Sequence, residues 1–165
     1  MKQEENNYKF SIIIPTYNRL NLLKIAIESA LDQTNKDFEI VVIDNFSNDK
    51  TEEYIKKLLP KNQNIQYFKY KNNGIIGAAR NFGANKAQGK YLCFLDSDDK
   101  WYKNKLEQVN KIISTKDVDF LYHDLKLLSI NLKSFFRRKI KGKRYQSSFY
   151  LEPLINGNKI NTSSV

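Results

Sequence analysis

Short apolar runs alternate with segments of helical spacing along most of this chain, and that alternation limits its fold more than any other feature. Residues 10–14 form an apolar strand pattern that Pro15 is expected to stop. Residues 20–31 then place Leu20, Leu23, Ile27, Ala30 and Leu31 at the spacing of one helix face. The same reading gives strands at 38–43, 65–69, 91–95 and 118–122, and helices at 49–59, 76–87 and 101–114. Pro60 closes the second helix and Gly89 the third. Strands joined through helices in this way predict an α/β fold, with a mostly parallel central sheet flanked by helices on both faces. Beyond residue 128 the pattern fades, leaving a short helix expected near 148–155 and a last strand from about residue 160. Domains seldom end inside a strand, so the chain reads as a piece of a longer protein.

In open sheets of this kind, ligands bind beyond the carboxyl ends of the strands. Four such ends are polar and chemically distinct. Pro15, Thr16, Tyr17, Asn18 and Arg19 follow the first strand, and Asp44, Asn45, Ser47 and Asp49 follow the second. Asn72, Asn73, Gly74 and Gly77 follow the third and open a helix carrying Arg80; Asp96, Ser97, Asp98 and Asp99 follow the fourth. Clustered carboxylates at a sheet edge need an opposite charge, and hard oxygen ligands suit magnesium or manganese, which also grip phosphates. The competing reading has Asp96–Ser97–Asp98 capping a helix that starts near Trp101, a task for one side chain and not three. Arg80, one turn inside its helix, suits a phosphate or an ion pair with one of the aspartates. Asp44 is placed either to accept hydrogen bonds from a base or ribose or to cap the next helix. Gly74 and Gly77 allow close backbone approach, and Gly83 allows tight helix packing; plain turns are the alternative.

Composition narrows the class. With 165 residues, 41% hydrophobic and 13% aromatic, the chain is globular and of single-domain size. No apolar run reaches the roughly 20 residues of a membrane helix, and the first residues lack a signal-peptide pattern, so a cytoplasmic location is expected. The single Cys93 excludes an internal disulfide and reads as a buried, inert thiol. The lone His123 reads as a structural histidine. Net charge is +10, and residues 133–144 hold seven basic and no acidic side chains. That block reads either as a solvated loop or as peripheral contact with the inner face of a membrane. Nucleic acid is not an expected partner, because no helix-turn-helix, zinc-finger or RNP-like pattern occurs.

The glycines do not form G-x-G-x-x-G after the first strand, and no Walker lysine motif is present, so phosphates would rely on metal and Arg80. Taken together, the segments at 11–19, 42–49, 77–83 and 94–99 resemble the GT-A glycosyltransferases of family 2. The resemblance runs from about Phe10 to Glu107. It implies a metal-dependent, inverting transferase that moves a sugar from a nucleotide-diphosphate donor, often UDP, to a saccharide or lipid-linked acceptor in polysaccharide or glycolipid synthesis. Residues 1–165 would then be the nucleotide-sugar-binding part of one GT-A domain, truncated at its C-terminal end. By similarity, Pro15, Thr16 and Tyr17 line the nucleoside pocket, and Asp44 hydrogen-bonds the base. Arg19, Arg80, Asp96 and Ser97 reach the donor, Asp98 binds the Mn²⁺ or Mg²⁺, and Asp99 and Trp101 border the acceptor side. Asn45 departs from the second aspartate common there in relatives. The family's general base, an Asp or Glu well after the aspartate cluster, is expected beyond Val165, since Asp124 and Glu152 lack its context. Without it the chain should bind donor better than it transfers sugar. Two other readings stand beside this one: a non-catalytic nucleotide-binding module, and a nucleotidyltransferase, which should carry a Gly- and Lys-rich loop after the first strand.

Overall fold

The computed structural model describes residues 7–116 and 119–121, together with the backbone of two short strands at 125–126 and 139–140. The chain divides into two compact units, Met1–Asp117 and Val118–Val165. In the first, strands β1 (Tyr8–Thr16), β2 (Phe38–Asp44), β3 (Ile65–Lys69) and β4 (Gly89–Phe94) alternate with helices α1 (Leu20–Leu31), α2 (Thr51–Leu58), α3 (Ile76–Lys86) and α4 (Lys105–Ile113). A short 3-10 turn, Leu59–Lys61, ends α2. All three strand pairings are parallel, and the order across the sheet is β3-β2-β1-β4. In the second unit, β5 (Leu125–Lys126) pairs antiparallel with β6 (Lys139–Ile140).

Side chains alternate across the two sheet faces, as a period of two requires. Phe10, Ile12, Ile14, Ile40 and Val42 pack against Leu23, Ala26, Ile27, Ile55 and Leu106 from α1, α2 and α4. Ile13, Val41 and Ile43 face the other way, onto Ala79 of α3. Each large side chain fully buried here contributes about 1.5–3 kcal/mol. The sheet is therefore covered on both faces, as the alternation predicts.

Several boundaries differ from the sequence reading; Gly89, expected to close α3, instead opens β4, and β2 runs on to Asp44. In the same way β1 runs through Pro15. Leu95 donates its N–H to the Ile13 carbonyl, so residues 13 and 15 turn their backbone groups toward β4. The β1–β4 pairing ends at Ile13↔Phe94, so no ladder bond is asked of the proline. Helix α4 begins at Lys105 instead of Trp101. The Trp101 N–H donates to Ser29 Oγ (3.1 Å), Gln33 Nε2 donates to the Tyr102 carbonyl (2.8 Å), and Thr34 N–H donates to the Lys103 carbonyl (2.9 Å). The end of α1 thus holds residues 101–104 in turns. No strand forms at 119–121; the remainder of the strand expected at 118–122 lies outside the described residues. So do His123, Asp124, Glu152, the helix expected at 148–155, the strand expected from 160, and the basic block apart from the backbone of β6.

Candidate functional site

The strand order reverses at β1: β2 and β3 build outward on one side, and β4 lies on the other. The loops leaving the neighbouring strands β1 and β4 form the carboxyl edge where sheets of this kind bind ligands, and α1 and α4 both pack on the same face below it. Arg19 and Asp98 meet there, with Arg19 Nη1 2.8 Å from Asp98 Oδ2, and both side chains are about half exposed. Deeper in, Arg80 Nη2 lies 2.5 Å from Asp96 Oδ1, at 17% and 27% exposure. The two outer carboxylates of the Asp-Ser-Asp run are therefore each matched by an arginine, one pair sheltered and one open. Ser97 between them is buried. Asp99 donates its N–H to the Asp96 carbonyl (3.0 Å), so the run forms a turn. Since α4 starts at Lys105 with Asn104 before it, none of these aspartates caps that helix.

Over the ends of β1, β2 and β3 lies a cleft of about 510 Å³ lined by Tyr17, Asn45, Phe46, Lys71 and Asn73. Tyr17 and Phe46 are more than half exposed, two aromatic faces with no core to fill. The walls are pinned by loop-to-loop hydrogen bonds. Asn18 N–H donates to Ser47 Oγ (2.9 Å), Asn48 N–H to Asn18 Oδ1 (2.8 Å), and Asn72 N–H to Asn45 Oδ1 (3.0 Å). Asn73 and Gly74 both have positive φ, 51° and 80°, and Ile75 N–H closes the turn on the Asn72 carbonyl. Two left-handed residues in succession make a type I′ turn, for which Asn-Gly is the favoured pair.

Two of the expected contact residues are buried in this geometry. Asp44 is fully buried. Its Oδ1 accepts from the Ser47 N–H (2.9 Å) and hydroxyl (2.5 Å), and its Oδ2 from the Tyr67 hydroxyl (2.6 Å). Burial, and then the Asp44 hydrogen bond and charge, push the Tyr67 phenol well above its ordinary value, so it remains a donor. β2 continues through residue 44, and alternation puts Asp44 on the face of Ile40 and Val42, away from the cleft. Asn45, one residue on, lines the cleft instead. Trp101 is likewise buried, packed in the larger core cluster, and offers no exposed indole to an acceptor. Thr16, paired with Asp44 in the ladder, is buried too, and its hydroxyl lacks a hydrogen-bond partner among the described residues.

The remaining expected residues divide by exposure. Tyr17, Arg19 and Asp98 are open to solvent; Pro15, Arg80, Asp96 and Asp99 are half-buried. Asn45, Phe46, Lys71 and Asn73 were not among the expected donor contacts. For Asn45 the signal was available, since it is the first residue beyond the alternating run of β2. For Phe46 it was an aromatic among polar loop residues.

Lys105 is an unforeseen neighbour of the aspartate turn. Its Nζ is buried without a hydrogen-bond partner among the described residues, 4.0 Å from the centre of the Trp101 ring. Burial drives its amine down to about 8, against the opposing pull of Cys93 and Asp99. Burial also lifts the Cys93 thiol to about 11, in keeping with an inert thiol.

A divalent cation fits this corner on the chemistry of its donors. Among the described residues no three His, Cys, Asp or Glu side chains gather into a ready-made cage. Magnesium-type sites need none, since they take one or two carboxylates and complete their shell with water and substrate phosphate. Asp98 supplies a half-exposed carboxylate whose Oδ1 has no partner among the described residues.

Comparison with known proteins shows the family and the fold. The sequence model of the family described as Glycosyl transferase family 2 matches residues 11–159. An uncharacterized glycosyltransferase of Rickettsia felis is 44% identical over 132 residues, which cover 80% of this chain and 21% of the relative. A putative teichuronic acid biosynthesis glycosyltransferase of Bacillus subtilis is 31% identical over 119 residues, covering 72% of this chain and 47% of the relative. Among solved structures, residues 1–349 of S. aureus TarS in complex with UDP-GlcNAc superpose with a TM-score of 0.63 at 29% identity, over 78% of this chain and 37% of that one. The same TarS segment is also known in complex with UDP. The chain thus spans about a fifth to a half of the length of these relatives.

Proposed function

The chain belongs to glycosyl transferase family 2, has the GT-A fold, and we propose that it is the donor-holding part of an inverting transferase. The donor is a UDP-sugar, and the acceptor a saccharide or lipid-linked glycan of the cell envelope. The observation that carries this reading is the meeting of Arg19 and Asp98 at the carboxyl edge of β1 and β4, beside a cleft walled by Tyr17 and Phe46. The complexes of TarS with UDP and UDP-GlcNAc, at 29% identity, support the choice of nucleotide.

In this proposal the base lies against Tyr17 and Phe46. The Asn45 carbonyl is engaged by Asn72, so its amide nitrogen is left to donate to a base carbonyl. Arg80 holds Asp96 in a fixed rotamer, keeping that carboxylate as an acceptor for ribose or sugar hydroxyls. Asp98 would hold the divalent ion, which supplies Lewis-acid neutralisation of the leaving diphosphate. General-base help to the acceptor hydroxyl is assigned to the remainder of the enzyme. No helix among the described residues is long and apolar enough to cross a membrane. Contact with the inner membrane face through 133–144 is part of the proposal.

Calorimetry of UDP with and without Mn²⁺ tests it. Binding should require the metal and fall at least about tenfold in Asp98→Ala, the loss of one charged contact of more than about 1.4 kcal/mol. UDP binding that is indifferent to both metal and Asp98 would instead favour a nucleotide-binding module with its site elsewhere.

A further inference from the structure

We propose that Arg19 is an internal stand-in for the divalent cation: it neutralises Asp98 while no donor is bound, and turns onto the donor's diphosphate when Asp98 becomes a metal ligand. The inference rests on the donor-binding reading above and adds a residue that exchanges partners within it.

Three observations point to exchange and not to a fixed brace. The first is the contrast between the two arginine–aspartate pairs. Arg80–Asp96 is sheltered at 17% and 27% exposure, whereas Arg19–Asp98 stands at 50% and 49%. A half-exposed pair is screened by water and holds its partner by no more than about fivefold in equilibrium terms. A divalent ion at Asp98 therefore meets a competitor it can displace.

The second observation is that the Arg19 backbone cannot drift away with the side chain. Its carbonyl accepts from the Leu22 and Leu23 N–H groups (3.0 and 2.9 Å). The next N–H, of Leu20, is capped by Asp49 Oδ2 (3.1 Å), and Asn18 before it is tied at both backbone and side chain to the Ser47–Asn48 loop. Arg19 thus swings as a long, flexible side chain from a fixed point at the start of α1. A displaced guanidinium stays within side-chain reach of the corner.

The third is charge. With a divalent ion on Asp98, a guanidinium left on the same carboxylate would face a like charge across a few ångströms. The diphosphate brings the matching anion, and a planar guanidinium donates to phosphate oxygens two at a time. Lysine would keep the charge but lose the fork.

The test separates two affinities. Mn²⁺ alone is titrated into the full chain by water-proton relaxation, and UDP is then titrated by calorimetry at saturating Mn²⁺, for wild type, Arg19→Ala, Arg19→Gln and Arg19→Lys. Removing the competitor should tighten Mn²⁺ alone, by up to about fivefold in Arg19→Ala and Arg19→Gln. Removing the phosphate ligand should weaken UDP at saturating metal, by about tenfold or more, with Arg19→Lys intermediate. The two changes have opposite signs, which a merely structural arginine would not produce. Wild type that binds UDP with Mn²⁺, but whose Arg19 variants leave both affinities unchanged or weaken both, would overturn the exchange while leaving the donor reading intact. Wild type that binds no UDP under any condition would overturn the donor reading, and the exchange with it.

Discussion

Asp44 and Asn45 are adjacent in sequence and differ in burial, and the difference comes from one step at the end of β2. The Asp44 carboxylate is closed inside three hydrogen bonds from Ser47 and Tyr67, whereas Asn45 stands at the lip of the cleft. Asp44→Ala should therefore cost on the order of 3 kcal/mol in chemical denaturation, because it strands buried donors. Asn45→Ala should cost less, about 1 kcal/mol for the lost Asn72 N–H bond, but weaken UDP binding severalfold. The reverse pattern would return the base contact to Asp44. Lys105 gives a second prediction. Its amine titrates near 8 when folded against 10.5 when free, so between those values the unfolded chain holds the extra proton. Stability should then climb as pH rises from about 8 to 10.5, with the full cost, on the order of 3 kcal/mol, present below pH 8. Lys105→Met should be more stable than wild type at pH 7, with the gap closing across that window. An equal pH profile for the two proteins would show that the amine is not desolvated. Neither residue's environment was legible in the sequence. Asp44 looked like a loop carboxylate because its strand was taken to end at residue 43, and nothing local marks Lys105 as buried.

At the scale of elements, two glycines set how closely neighbours approach. A Cβ at Gly83 of α3 would lie 2.6 Å from Ile13 Cγ2 and 3.2 Å from Ile43 Cγ1, both side-chain atoms. A Cβ at Gly89, where β4 joins β1, would lie 2.6 Å from the Phe10 carbonyl carbon and the Ser11 nitrogen, both backbone. Side chains can give way and a central strand cannot. Gly83→Ala should cost about 1 kcal/mol net, overpacking being partly offset by better helix propensity. Gly89→Ala should cost more, on the order of 3 kcal/mol, and equal losses in urea titrations would contradict the ranking. The elements themselves were largely legible. Residues 20–31 and 65–69 fall where periodicity places them, because their apolar positions face one continuous core. The start of α4 was not, since Ser29, Gln33 and Thr34 hold residues 101–104 from more than sixty positions away. Pro15 looked like a strand end for a related reason: whether a proline is tolerated depends on which neighbour its missing N–H would have faced.

At the scale of the whole molecule, chemistry collects where the order β3-β2-β1-β4 turns back on itself. Four polar strand ends could be read from the sequence, and their gathering at one edge followed from parallel topology. Their internal division could not. The sheet sorts them into an aromatic cleft over β1, β2 and β3 and a paired-charge corner between β1 and β4, joined by the short run from Tyr17 to Arg19. The family match over residues 11–159 places this arrangement in glycosyl transferase family 2, and the chain spans only part of the length of the relatives it matches. The central claim is that Asp98 tethers a cation shared with the nucleotide's diphosphate. Crystals grown with UDP and Mn²⁺, measured at the manganese absorption edge, test it most directly. The account predicts an anomalous peak in contact with both the Asp98 carboxylate and a diphosphate oxygen. Ordered UDP with no such peak at Asp98 would contradict it.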